Sequence, residues 1–219
     1  MEWESYELKR TEDSLQYKFD SEGQKGRITK AVRFQHKPEL GREVYNLAFG
    51  DYDEATDRID DKIVSHNGDR ERILYTIANV VIDFFKQRPL GIILIRGTTK
   101  SRIRLYQIKI GIFWTEIKTH YEVLGNYQGR WVPFERGSTM KSLSCLKKIS
   151  KFIREMGSVM NQKKSKIKKN PSIRIDPDMR INDDSPFLIK KMEDAIECLR
   201  KVPLPEWVLN RHLPAKKNN

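Results

Sequence analysis

Cysteine is scarce: Cys145 and Cys198 are the only two in 219 residues, and no CxxC pair exists. That excludes a disulfide framework and a thiolate zinc site, and it suits a reducing cytosol. Long apolar runs are missing too. Stretches such as 91–95 fall far short of the ~20 residues that span a bilayer, and the acidic start Met1-Glu2-Trp3-Glu4 lacks the plan of a signal peptide. The expected setting is therefore cytoplasmic, with no membrane partner. Glycine (12) and proline (9) are too few for a collagenous or low-complexity chain. The four histidines, His36, His66, His120 and His212, show no metal-ligand spacing with one another. A GxxxxGK[ST] phosphate loop is absent.

What the chain does have is positive charge, and it is unevenly placed. Lys and Arg number 42 against 30 Asp and Glu, a net of +12. Residues 141–169 alone carry ten basic residues and one acid, Glu155, a net of +9. The excess belongs to one segment and says little about the rest.

The first part reads as strands. Period-two alternation over 14–19, 27–34 and 43–49 marks half-buried strands, with Gly23 and Gly26 turning the first pair. Residues 50–66 read as an acidic loop. Ile73, Leu74, Ile77, Val80, Val81, Phe84 and Phe85 predict an amphipathic helix over 70–87, capped by Asn67 or Asp69 and stopped by Pro89. A short strand at 92–95, a helix at 102–118, and a hairpin of 121–125 with 130–134 follow. The expectation is an α+β domain over 1–140: a mixed, largely antiparallel sheet of about 5–6 strands with two main helices on one face. A basic helix over 143–156 and a linker fill 141–172. An extended segment, an amphipathic helix at 185–201 and a tail fill 173–219. The stripe Leu188, Met192, Ala195, Ile196 and Leu199 needs a cover, which is either this chain's own domain or a protein partner.

An ordered string of short motifs carries a resemblance. Phe19-Asp20-Ser21, Gly23, Lys25-Gly26, Ile28, Lys30, Val32 and Phe34 open it. Tyr45-Asn46-Leu47, Phe49-Gly50-Asp51, Asp60-Asp61, Asn67-Gly68-Asp69, Gly97-Thr98-Thr99 and Arg102-Ile103-Arg104-Leu105-Tyr106 continue it. Over about residues 6–136 the chain resembles the Bacteroidetes-type domain of unknown function 6934. His66 and Ile77 stand where that pattern usually has Asn and Val. The resemblance implies a bacterial cytosolic protein and implies no activity. Beyond about residue 145 the chain does not match it.

Four constellations could carry chemistry. The strand–loop–helix at 92–106 surrounds Thr98, Thr99 and Ser101 with Arg96, Lys100, Arg102 and Arg104. Free N–H groups, a helix dipole and forked guanidinium donors favour an anion there. The bland reading is that Thr98, Thr99 or Ser101 caps the helix and the Arg side chains are solvated. The acidic stretch offers Asp51, Asp53, Asp60 and Asp61 as ligands for Mg²⁺, the one cofactor an enzyme here would need, against a solvated loop. Asp61, His66, Asp69 and Arg102 are the catalytic candidates. The run Lys147, Lys148, Lys151, Lys163, Lys164, Lys166, Lys168 and Lys169 would bind nucleic acid or another polyanion, or simply keep a linker solvated. Three readings follow: a module binding an anion or nucleic acid; a toxin-like enzyme acting on RNA under a fused antidote-like tail; and a scaffold recruiting a protein through the C-terminal helix.

Overall fold

The computed structural model describes residues 4–38, 43–61, 63, 65–97, 99–147, 173–179 and 186–209. Its elements are β1 (Leu8–Arg10), β2 (Gln16–Gly23), β3 (Gly26–His36), β4 (Val44–Asp53), β5 (Arg58–Asp60), α1 (Arg70–Gln87), β6 (Ile92–Ile95), α2 (Lys100–Ile112), α3 (Trp114–His120), β7 (Tyr121–Tyr127), β8 (Arg130–Pro133), β9 (Leu143–Lys147), β10 (Ile173–Ile175), α4 (Pro186–Lys201) and α5 (Glu206–Leu209). The class is α+β. The hydrogen-bonded strand order is β10-β1-β2-β3-β4-β6-β9-β7-β8, with β5 on β4. β1–β10 and β4–β6 pair in parallel.

Ten strands replace the expected five or six. Three of the additions, β1, β5 and β10, are three residues long, too short to show a period. The fourth is β9, where a helix was expected from residue 143. Leu143 and Leu146 suit a helical stripe, yet Leu143, Ser144, Cys145 and Leu146 are all buried and pair with β6 on one side and β7 on the other. A strand covered on both faces shows no alternation, and a four-residue run cannot be told from a helical one by pattern. The remainder of that expected helix lies outside the described residues. Two further corrections are local. The expected helix 102–118 is two helices meeting at Phe113. The acidic loop is partly a hairpin, with Asp51, Tyr52 and Asp53 of β4 facing Asp60, Ile59 and Arg58 of β5.

The chain forms two compact units. The first comprises residues 1–33, 49–89 and 148–182; the second comprises 34–48, 90–147 and 183–219. In the first, Tyr6 and Phe19 stack at 5.7 Å, and Phe19 and Phe49 at 6.4 Å. Asn67 ties the β2–β3 turn. It accepts from the Lys25 N–H at 2.8 Å and donates to the Gly26 carbonyl at 3.0 Å. A Cβ on Gly23 would sit 1.8 Å from the Asn67 carbonyl oxygen, so only glycine admits this contact.

In the second unit, Val44, Ile92, Leu94, Leu124 and Leu146 form one buried cluster with Leu199, Leu204 and Val208. Burying side chains of this size contributes roughly 1.5–3 kcal/mol each. The Trp131 indole N–H donates to the Val202 carbonyl at 3.1 Å. The C-terminal stripe thus packs on strands of its own chain at Ala195 and Leu199; the side chains of Leu188 and Met192 lie outside the described residues. Among the described residues no helix is long and apolar enough to cross a membrane.

Candidate functional site

The β6–α2 connection is built by a buried strand delivering its last residue into a tight turn. A Cβ on Gly97 would lie 2.5 Å from the Ile103 amide nitrogen, so glycine lets the loop lie against the helix backbone. Thr99 is the N-cap: its side-chain oxygen accepts from the Arg102 N–H at 3.2 Å, and its carbonyl accepts from the Ile103 N–H at 3.2 Å. The capping role weighed for Thr99 is real, and it leaves other N–H groups of the first turn to be served from outside. That turn holds no acid. Lys100, Ser101 and Arg104 are exposed, and Arg102 is half-buried. The Arg96 guanidinium, also half-buried, donates to the main-chain oxygen of Asp194 on α4. Thr98 lies outside the described residues. The loop therefore presents two or three cations beside a partial positive charge of about half an elementary unit.

The acidic residues behave differently. Asp51 is ion-paired with Lys30, and both its oxygens accept from the Ser65 hydroxyl at 3.0 Å. Asp53 accepts from the Thr56 hydroxyl at 2.7 Å and the Ala55 N–H at 3.0 Å, which hold its carboxyl below the usual range. Asp60 is exposed and takes the Ile63 N–H at 3.4 Å. Asp61 is buried. Asp69 stands at the N-cap of α1, but its side chain makes no cap bond and instead accepts from Ser21 at 2.6 Å and Tyr6 at 2.7 Å. Among the described residues no three His, Cys, Asp or Glu side chains gather closely enough to share a metal. His66 is exposed with φ of 51°, left-handed backbone that suits Asn better than most residues. Asp61, His66 and Asp69 belong to the first unit, and Arg102 to the second.

Charge in the first unit is spent on structure. Arg33 is 1% exposed, donates to Gln16, and reaches Asp57 at 3.1 Å. Asp57 also takes the Tyr52 hydroxyl at 2.6 Å; burial and this carboxylate push that phenol's pKa up. Burial pulls the Lys18 ammonium down, beside the Tyr52 ring. For Asp20, burial opposes ionisation, yet hydrogen bonds from Arg27 and Thr29 outweigh it and hold the carboxyl below its ordinary value. In the second unit, burial and then Cys145 push Tyr121 up to about 12.

Of the basic run, Lys147 ends β9 opposite Tyr121. Lys148, Lys151, Lys163, Lys164, Lys166, Lys168 and Lys169 lie outside the described residues.

With this geometry in hand, comparison with known families gives one match: the model of a family of unknown function (DUF6934) fits residues 2–148. The chain belongs to that family. No curated protein and no solved structure matches it. The family region ends one residue beyond β9, so it contains the β6–α2 loop and all strands but β10, while α4 and α5 follow it.

The strands also bring together residues that no spacing in the sequence connects. Asn126 pairs with Trp131, and its N–H donates to the Ser142 carbonyl at 2.9 Å. Arg96, Trp131 and Ser142 line one small cavity. Single small polar residues from separate segments carry no spacing signal, so only the pairing of β7 with β8 and β9 reveals them.

Proposed function

We propose that this chain is a cytosolic binding module for a phosphate-bearing ligand, nucleic acid foremost, held at the β6–α2 loop. One observation carries the reading: the N-terminus of α2 has no acid in its first turn and presents exposed Lys100, Ser101 and Arg104, with Arg96 and Arg102 beside them. N–H groups, dipole and guanidinium forks act on an anion together. The basic run 141–169 would add sequence-independent affinity for a polyanion. Cys145 and Cys198 are not joined in a disulfide, which suits the cytosol. The enzyme reading gains no support from the acids, because Asp51, Asp53 and Asp69 are already engaged by neighbouring side chains.

The test is a titration of the full chain with a fluorescein-labelled single-stranded RNA octamer at several salt concentrations. Affinity should fall steeply with salt, and Lys100→Ala with Arg104→Ala should weaken it by about tenfold or more. An unchanged affinity in that double variant removes the loop from the site.

A further inference from the structure

Three neutral polar side chains on, or directly beside, the second unit's strands are buried without a hydrogen-bond partner. The Ser142 hydroxyl (3% exposed), the Ser144 hydroxyl (0%) and the Asn126 side-chain oxygen (3%) have none. A fourth, the Asn46 side-chain oxygen, is unpaired although its amide donates to Gln35 at 3.1 Å. Strand register arranges them in two rows. Ser142 and Asn126 adjoin Trp131 and Arg96 in one; Asn46, Leu94, Ser144 and Leu124 form the other. Ala195, Cys198 and Leu199 of α4 close the first row, leaving a cavity of about 10 Å³. That is room for roughly one water, which cannot serve two rows of oxygen atoms.

Burying an unpaired hydroxyl or amide costs free energy, and folded proteins rarely leave such atoms without reason. The reason here concerns what lies above them. Every residue of the two rows falls within the family region 2–148, and the helix that covers them does not. The cover also imitates a ligand, since the Asp194 main-chain oxygen occupies the Arg96 guanidinium as a phosphate oxygen would.

We infer that the row Arg96–Ser142–Asn126–Trp131 is a nucleotide-binding site covered by α4, so that the C-terminal segment controls access to it. This rests on the anion reading of the β6–α2 loop, because Arg96 joins the two. The row runs across the line of four adjacent strands, with Arg96 just past the end of β6, Ser142 just before β9, Asn126 on β7 and Trp131 on β8, a span of about 14 Å at the usual strand spacing. That accommodates one nucleotide: phosphate on Arg96 beside the N-terminus of α2, sugar hydroxyls and base edge on Ser142 and Asn126, and the base against the Trp131 indole. Stacking on an indole is tolerant of base identity. Opening requires withdrawing Ala195 and Leu199, and a ligand for an infrequently open site binds with affinity reduced by the open fraction.

The same labelled RNA octamer tests this on the full chain. Leu199→Ala loosens the cover and should tighten binding by about tenfold. Adding Ser142→Ala should abolish that gain, whereas adding Lys100→Ala and Arg104→Ala should weaken binding in either background. Hydrogen exchange of wild-type protein supplies a readout that needs no variant: RNA should speed exchange of the amides in 186–201. If Leu199→Ala still melts cooperatively and binds like wild type, or if RNA leaves α4 exchange unchanged or slower, occlusion is wrong while the loop reading stands. Absence of RNA binding in every variant overturns both.

Discussion

The two units treat buried polar groups in opposite ways. On the strands of the first, buried charged and neutral groups alike are paired: Lys30 with Asp51 and Ser65, Arg33 with Gln16 and Asp57, Ser21 with Asp69. On the strands of the second, the buried groups are neutral and several of their atoms are unpaired. A buried charge without a partner is too costly to keep, so wherever one survives its partner survives too. A buried hydroxyl costs far less and persists when another demand requires it. Ionised clusters here therefore help hold the first unit together, and the orphaned neutral oxygens of the second are the observation on which the proposed site rests. Helix α1 tempers the contrast, since the Arg72 Nε and the Asn79 amide nitrogen also lack hydrogen bonds. The Arg72 guanidinium nevertheless lies 3.9 Å from the centre of the Tyr6 ring, a contact that offsets part of its loss.

The largest expected effect that sharpens this comparison is Arg33→Ala. Removing this side chain, 1% exposed, takes a donor from Gln16 and the ion-pair partner from Asp57, and the loss should be about 3–5 kcal/mol in urea denaturation. A loss below about 1 kcal/mol would break the contrast. Tyr17→Phe comes next. Burial, then the Asp83 carboxylate 3.0 Å away, raise the Tyr17 phenol above its ordinary value. The folded state thus holds that proton more tightly than the unfolded chain. Its stabilisation is complete below pH ~10 and is lost as pH rises above that value. Near pH 8 the variant should lose about 1 kcal/mol with the hydrogen bond. Above pH 10 its stability should fall less steeply than that of wild type, the remaining slope coming from Tyr6, Tyr52 and Tyr121. A parallel decline in both proteins would show that Tyr17 does not contribute. The smallest effect belongs to Ser142→Ala, which removes an unpaired hydroxyl and should leave thermal stability unchanged or slightly higher. A marked loss would mean that this oxygen has a structural partner after all.

How much of this was legible beforehand follows from how far each signal travels along the chain. Helix α1 was readable, because Ile73 through Phe85 repeat apolar positions at helical spacing for about three and a half turns and Pro89 ends it. Strands β2, β3 and β4 alternate long enough to be recognised. The β9 strand was not readable, since Leu143, Ser144, Cys145 and Leu146 face cover on both sides and resemble a helical fragment. The β6–α2 loop showed itself through neighbouring Arg, Thr and Ser residues. Ser142, Asn126 and Trp131 did not, because they are ordinary residues in sequence and come together only through strand pairing. Asn67 and Asp69 were visible as punctuation, but their task was misassigned: both serve the β2–β3 region and neither side chain caps α1 through the expected bond.

One pairing bears on the lysine-rich stretch. β10 lies parallel to β1, with Leu8, Lys9 and Arg10 opposite Ile173, Arg174 and Ile175, and a salt bridge of 2.7 Å joins Arg174 to Glu7. Lys147, itself part of the stretch, closes β9, and residue 173 opens β10 once the stretch is over. Were the chain cut between residues 147 and 173, it would become two pieces, yet the later piece would keep its grip through β10 on β1 and through Leu199, Leu204 and Val208 in the core of the second unit.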